Sequence, residues 1–195
     1  MQITSTPLPG RFIRLMPLGP EHDAELKAAC DADPEIWSLY PINMAGEGYA
    51  PWRASVDARA ASGAAVPFAI EQDGKCVGVT LHMLDTPNRR TEIGNTYLHP
   101  AVRGGMVNPE SKLLMLRHAF ACGAHSVALR VDALNMRSRG AVTKLGAHQD
   151  GILRGDRVTW TGRIRDTVIF SILESEWPGI EAGLIRRLEA FSGKA

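Results

Sequence analysis

Cysteine is scarce in this chain, and its placement excludes two classes of small protein. The 195 residues include only three cysteines, Cys30, Cys76 and Cys122, and no two of them form a Cys-x-x-Cys pair. An odd number of widely spaced cysteines fits neither a disulfide framework nor a structural zinc site. We therefore expect three reduced thiols, as in a cytoplasmic protein.

The chain also lacks a charge excess, a long apolar run and a metal-binding motif. Its formal net charge is +1, which argues against nonspecific electrostatic binding of nucleic acid. No apolar run approaches the roughly 20 residues that span a bilayer, and the first ten residues do not have the pattern of a signal peptide. The six histidines form no His-x-x-His or His-Glu-x-x-His array, so we expect no metal. The sequence predicts a cytoplasmic protein without nucleic-acid or membrane partners.

What the chain does have is the composition of an ordinary globular protein. Hydrophobic residues make up 45% and charged residues 22% of the sequence. A chain of this length buries a sizeable core without cross-links. Because no internal repeat, low-complexity tract or linker interrupts it, residues 1–195 are predicted to form a single domain.

The spacing of apolar residues predicts strands and helices in mixed order. Asp73-Gly74 is a strong hairpin signal between two strand-like segments. Asn108, Pro109 and Gly123 suit the N-cap, the first position and the end of one helix, and Gly146 suits the end of another. The predicted strands are residues 11–15, 65–71, 75–84, 91–98, 126–131, 148–160 and 166–173, and the predicted helices are residues 20–30, 34–40, 51–61, 109–122, 135–145 and 178–191. A strand–helix–strand unit beside hairpins predicts the α/β (α+β) class, with a mixed sheet and helices on both faces.

One segment has a pattern suited to binding phosphate. Residues 99–110 comprise the end of a strand, a loop containing Gly104 and Gly105, and the start of a helix. Such a loop allows backbone N–H groups to converge on an anion, and the helix N-terminus adds about half a positive charge. Arg103 offers a direct phosphate contact. The alternative is an ordinary tight turn that leads into a helix.

Six stretches together resemble the GNAT acetyltransferase superfamily, in particular the branch that includes ribosomal-protein N-terminal acetyltransferases. The stretch at 132–147 looks like the Asn-x-x-Ser segment of that superfamily, followed by a helix and Leu-Gly-Ala. The other stretches, in chain order, are residues 12–18 with 20–22, 67–70, 77–78, 92–98, and 165–171 with 176–177. The resemblance covers essentially the whole chain.

This resemblance implies a fold and a cosubstrate. The GNAT fold is a mixed, mostly antiparallel sheet that splays apart at a central parallel strand pair. The resemblance also implies acetyl transfer from acetyl-CoA to a primary amine, without a covalent intermediate. One loop departs from the pattern: Ala101, Gly104 and Met106 stand where the superfamily usually has Gln or Arg, Gly, and Gly or Ala. Backbone amides can still bind phosphate if Met106 keeps an allowed φ.

Site residues follow from the resemblance and from position. Glu92 is the candidate base, since it lies an even number of residues before Leu98 and would share its face of the sheet. The alternative for Glu92 is a surface ion pair, for instance with Arg89 or Arg90. Ser138 is the candidate acid near the CoA sulfur, with simple first-turn capping as its alternative. Leu98 is also the predicted backbone donor to the thioester oxygen. The expected CoA-binding residues are Tyr97, Leu98, Arg103, Gly104, Gly105, Met106, Val107, Asn108, Asn135 and Ser138. The alternative role for Asn135, compatible with CoA binding, is to cap its helix.

The acceptor side is less readable from the sequence. The candidates are Trp37, Tyr40, Trp52 and His82, with a plain core role as the alternative for the aromatic residues and an exposed strand position as the alternative for His82. The acceptor is expected to be a protein N-terminus or a small-molecule amine. A CoA-binding sensor without turnover is the alternative function, and the oligomeric state, including a homodimer, stays open.

Overall fold

A central β-sheet with helices on both faces organises the molecule. The structure is a computed structural model, which describes residues 1–192. Within them the strand order is β1-β2-β3-β4-β5-β6-β8-β7, and only the β5–β6 pair is parallel. The strands are β1 (Leu8–Pro9), β2 (Arg14–Pro17), β3 (Ala65–Gln72), β4 (Lys75–Asp85), β5 (Arg90–Leu98), β6 (Ser126–Asp132), β7 (His148–Val158) and β8 (Ile164–Leu173). The predicted mixed sheet with a central parallel pair is therefore confirmed.

Five α-helices and several short 3-10 turns complete the described chain. The helices are α1 (Asp23–Asp31), α2 (Tyr49–Ala61), α3 (Val107–Ala121), α4 (Met136–Leu145) and α5 (Trp177–Ser192). The helix predicted at 34–40 is a 3-10 turn, Pro34–Leu39. Among the described helices, none is both long and apolar enough to cross a membrane.

Two hydrophobic cores lie on opposite faces of the sheet because side chains alternate along each strand. In β3, Val66 and Phe68 pack with α3 and α5, on what we call the α3 face. Ala65 and Ala69 of the same strand pack with α1 and α2, on the α2 face. A residue's position in the alternation therefore decides which set of helices it meets.

Helix ends follow local chemistry, with one correction. Gly123 and Gly146 adopt left-handed backbone angles, with φ of 85° and 99°, and end α3 and α4 as predicted. Asn135 caps α4, accepting from the Ser138 N–H at 3.0 Å. The prediction that Asn108 caps α3 is wrong, because the helix already begins at Val107 and Met106 occupies the cap position.

The first long strand begins later than the sequence pattern suggests. The pattern predicts a strand at residues 11–15, but β2 spans Arg14–Pro17. The reason is a distant carboxylate: Glu110 of α3 accepts hydrogen bonds of 2.7–2.9 Å from the N–H groups of Arg11, Phe12 and Ile13. These amides therefore bond to a helix side chain instead of a neighbouring strand.

We expect Glu110→Gln to destabilise the fold. The amide retains a single acceptor oxygen and brings an NH₂ group against backbone N–H donors. Hydrogen bonds to a charged group each contribute about 1.5–3 kcal/mol, so the free energy of unfolding should fall by about 2–4 kcal/mol. Urea denaturation measures this, with the exposed Glu174→Gln as a control. A loss equal to that of the control would show that the hydrogen bonds of the Glu110 carboxylate to residues 11–13 do not stabilise the fold.

Candidate functional site

The parallel strand pair opens into a gap. β5 and β6 pair over three residue positions, the last joining Glu92 to Ala128. β5 then continues to Leu98 and β6 to Asp132 without further pairing. The expected splay of the central strands is therefore present, and beyond Glu92 and Ala128 the backbone groups that face the gap have no partner on the opposite strand.

A bulge in β5 changes which residues face each side. The β4–β5 register shifts between Val79 and Leu81, and Asn95 adopts a left-handed φ of 49°. One extra residue in a strand reverses the alternation beyond it. Glu92 therefore lies on the α2 face, whereas Leu98 packs in the core of the α3 face. The bulge makes the prediction that Glu92 and Leu98 share a face wrong. Nothing in the sequence pattern indicated the bulge.

The backbone of Leu98, but not that of Tyr97, is directed into the gap. The N–H of His99 donates to the Val77 carbonyl of β4 at 2.8 Å. Because successive residues of a strand direct their backbone groups to alternate edges, Tyr97 faces β4 and Leu98 faces the gap. Tyr97 instead serves the core, with its hydroxyl donating to the Ala29 carbonyl at 2.6 Å. The backbone of Leu98 is therefore placed for the expected pantetheine contact. The backbone of Tyr97 is not, because it faces β4.

Two side chains hold the carbonyl groups at this edge. Tyr40 Oη donates to the Thr96 carbonyl at 2.8 Å, and Arg103 Nε donates to the Leu98 carbonyl at 2.9 Å. Arg103 also pairs with Asp33 and lies 5.3 Å over the Tyr97 ring. The Arg103 side chain therefore bonds to groups within the protein through Nε and Nη1, while its buried Nη2 has no partner among the described residues. The expected direct phosphate contact stays a prediction.

The loop after β5 presents unused backbone donors. Gly104 adopts a φ of 82°, and a Cβ at Gly104 or Gly105 would meet nothing within 4 Å. The first intrahelical bond of α3 runs from Glu110 N–H to the Met106 carbonyl. The amides of residues 104–108 therefore precede the hydrogen-bonded part of the helix. Met106 keeps an ordinary φ of −77°, so its side chain imposes no strain on the loop.

Ser138 and Asn135 lie together at the start of α4. The Asn135 amide oxygen is used in the helix cap, where it accepts from the backbone N–H of Ser138. Ser138 is partly exposed, and its hydroxyl has no bonding partner within residues 1–192. The Ser138 hydroxyl is therefore available to hydrogen-bond a ligand. Asn135 has a structural role as the cap of α4.

Glu92 lies in a half-buried ion pair, with 25% of its side chain exposed. Its Oε2 is 3.2 Å from Arg130 Nε on β6. The expected alternative partners bond elsewhere: Arg89 donates to the Gly123 carbonyl and Arg90 pairs with Asp85. Burial raises the pKa of the Glu92 carboxyl, and the nearby arginines, led by Arg130, oppose that rise. A carboxylate with a raised pKa is a stronger base than a surface glutamate.

Of the four acceptor-side candidates, the structure leaves only Tyr40 near the gap. Trp37 and Trp52 are core residues of the α2 face, 0% and 3% exposed. His82 is fully buried and lies beside His118 of α3, with ring centroids 5.7 Å apart and the rings tilted by 59°. It therefore lies on the α3 face, as does Leu84 two residues later, and neither the acceptor role nor an exposed position fits it.

The sequence did not indicate that the β7–β8 turn, with Trp160 and Arg163, packs beside the gap. Trp160, in the β7–β8 turn, donates from Nε1 to the Trp37 carbonyl at 2.8 Å, and Arg163 donates to the Ser38 carbonyl at 3.2 Å. Arg163 also pairs with the buried Asp132 at the end of β6. An exposed tryptophan next to a turn was the available signal, but its partners come from more than 100 residues away.

Comparison with known proteins agrees with this geometry. The sequence profile described as "Acetyltransferase (GNAT) domain" matches residues 13–148. A curated relative, "Putative ribosomal N-acetyltransferase YdaF" of Bacillus subtilis, is 29% identical over 108 residues, which are 55% of this chain and 58% of that protein. The chain thus matches somewhat more than half of that relative's length.

Solved structures extend the likeness over nearly the whole chain. A GCN5-related N-acetyltransferase from Brucella melitensis is 28% identical with a TM-score of 0.85, covering 95% of this chain and 86% of that one. Mycobacterium smegmatis RimJ, solved in complex with CoA-disulfide, is 22% identical with a TM-score of 0.78, covering 90% and 88%. At that lower identity the likeness to RimJ shows a shared fold.

Proposed function

Because the chain belongs to the GNAT acetyltransferase family, we propose that it transfers an acetyl group from acetyl-CoA directly to a primary amine held beside the β5–β6 gap. The observation that carries this proposal is the gap itself, with Leu98 at its edge and the unused amides of residues 104–108 at its end. A strand edge of this kind can pair with the amides of an extended ligand.

The cosubstrate suits the two halves of the site. The diphosphate of CoA would take the amides of residues 104–108 at the start of α3, where the helix dipole favours negative charge. The pantetheine arm would run along β5 and pair with the backbone of Leu98. Mycobacterium smegmatis RimJ, which shares the fold, binds CoA-disulfide in its solved complex, and this supports the same cosubstrate here.

The reaction needs a proton removed, an oxyanion stabilised and a thiolate protonated. The amine nitrogen bonds to the thioester carbon, and the developing oxyanion accepts from the Leu98 N–H. The carbon–sulfur bond then breaks, and the thiolate takes a proton from the Ser138 hydroxyl, which regains one from solvent because Ser138 is partly exposed. Leu98 lies six positions after Glu92, roughly 20 Å along the strand at about 3.3 Å per residue. Because this distance exceeds the reach of one water molecule, the ammonium proton would pass to Glu92 along a chain of several waters in the gap.

The acceptor is either a protein N-terminus or a small-molecule amine. The name of the Bacillus subtilis relative points to a ribosomal protein. Tyr40 and the exposed Trp160 lie where an acceptor would approach from the α2 face. An aromatic wall of this kind accommodates a peptide or a small amine.

A panel of peptides and amines, assayed for CoA thiol release, tests the proposal. We expect steady release with at least one amine and none without an acceptor. Tight CoA binding without release from any amine would instead support the sensor alternative. Failure to bind CoA at all would contradict both functions.

We expect Ser138→Ala to slow turnover by about tenfold, which is less than the full range for general acid catalysis because a thiol of pKa about 8.5 leaves readily. The loss should persist at high pH, where free protons are scarce. The fold should be unaffected, because the α4 cap uses the Ser138 N–H and not its hydroxyl. Thiol release against pH measures the effect, with the exposed Ser175→Ala as control. An unchanged rate would remove Ser138 from the mechanism.

A further inference from the structure

A buried lysine lies beneath the gap without an acidic partner. Lys112, in the middle of α3, is 7% exposed, and its Nζ hydrogen-bonds to Thr96 Oγ1 at 2.8 Å. Within residues 1–192 it forms no ion pair with a carboxylate. Burying an amine with a single partner is costly, and the burial lowers the pKa of Lys112 to about 7. A methionine would fill the same volume without that cost, so packing alone does not account for the amine.

The partner of Lys112 is the residue that follows the bulge. Thr96 comes directly after Asn95, the residue with the left-handed φ. Its Oγ1 also lies 2.8 Å from Oγ1 of Thr80, the β4 residue that the register shift leaves without a partner in β5. Its carbonyl accepts from Tyr40 Oη. Side chains from three other elements therefore fix Thr96, two residues before Leu98.

The remaining polar groups of this layer carry no negative charge. His82 on β4 and His118 on α3 are both buried, and each has a ring nitrogen without a partner, Nε2 and Nδ1 respectively. Burial lowers the pKa of both histidines. The cluster of Lys112, His82 and His118 contains bases only, so the amine of Lys112 is directed to Thr96 and not to a counter-ion.

We propose that Lys112 is a positioning residue: through the Thr96 hydroxyl it holds the β5 bulge, and the bulge in turn aims the Leu98 N–H into the gap. This inference rests on the proposed function, since it assigns Leu98 a role in the transfer. Lys112 does not contact the reacting atoms. Its effect should appear in the rate of transfer and not in the binding of acetyl-CoA.

Lys112→Met is the first test. A misplaced group near a reacting centre costs about 10²-fold in rate, so kcat should fall by about 10–100-fold, while KM for acetyl-CoA should change by less than about threefold. Thr96→Val should produce a similar loss, and the double variant should lose no more than either single variant, because both remove the same link. Thr96→Ser keeps the hydroxyl and should retain the rate. Lys144→Met, on the exposed side of α4, is the control.

A second readout is independent of turnover. In the ¹⁵N–¹H spectrum of the free protein, the Leu98 amide signal should move in Lys112→Met and Thr96→Val but not in Lys144→Met. Full kcat with an unmoved Leu98 signal, or losses that add in the double variant, would overturn the proposal. If the wild-type protein transfers acetyl to no amine, the proposed function fails, and an unmoved Leu98 signal would still overturn the role of Lys112. If Lys112→Met does not fold, the Thr96 variants supply the same comparisons.

Discussion

Glu92→Gln should lower turnover by about 10²–10⁴-fold, the usual range for loss of a general base. Acetyl-CoA affinity should change little, because Glu92 lies on the α2 face and not at the phosphate loop. The variant retains the shape of the side chain and can still hydrogen-bond to Arg130. The measurement is thiol release with the best amine from the panel.

The pH dependence of this variant gives a sharper signature. The wild-type rate should rise with pH as Glu92, whose pKa burial raises, loses its proton. The deficit of Glu92→Gln should shrink further toward high pH, since a growing share of the amine is then already neutral. Asp85→Asn is a matched control, because Asp85 lies on β4 on the same face and pairs with Arg90. A folded Glu92→Gln protein with the wild-type rate would exclude Glu92 as the base.

Gly104→Val should weaken CoA binding by at least about tenfold. A left-handed backbone conformation costs a residue with a side chain about 1–2 kcal/mol, and about 1.4 kcal/mol corresponds to tenfold in affinity. The valine side chain would also project toward the bound phosphate. The protein itself offers no clash, since nothing lies within 4 Å of a Cβ at this position. Calorimetric titration with CoA measures the change.

The matched control for Gly104→Val is Gly63→Val, after α2. Gly63 has a φ of 70° and likewise nothing within 4 Å of a Cβ, so it suffers the same strain away from the loop. Met106→Gly should leave CoA affinity similar or better, because Met106 already has an ordinary φ. If Gly104→Val binds CoA as well as the control does, the loop is not the phosphate site.

Local patterns in the sequence were sufficient to predict much of the fold. The Asp73-Gly74 hairpin, the end of α3 at Gly123 and the Asn135 cap depend on turn and cap chemistry within a few residues. The splay of β5 and β6 followed from family resemblance together with the strand–loop–helix pattern. The hairpin turn, the helix end and the cap agree with the structure because neighbouring residues determine them.

The features that were missed depend on distant contacts. Thr96, which follows the bulge at Asn95, bonds to Thr80, Lys112 and Tyr40, so the sequence of β5 alone gave no sign that Glu92 and Leu98 face opposite sides. Arg103 is held by Asp33, 70 residues earlier. His82 was expected on the acceptor side although its position in β4 directs it toward α3. Partners remote in sequence decide each of these cases.

The most direct test of the account is a crystal structure of the protein with bound CoA. We predict that the diphosphate lies against the amides of residues 104–108 and that the pantetheine arm runs through the gap between β5 and β6, paired with the backbone of Leu98. CoA bound elsewhere on the molecule, with this gap closed or empty, would contradict it.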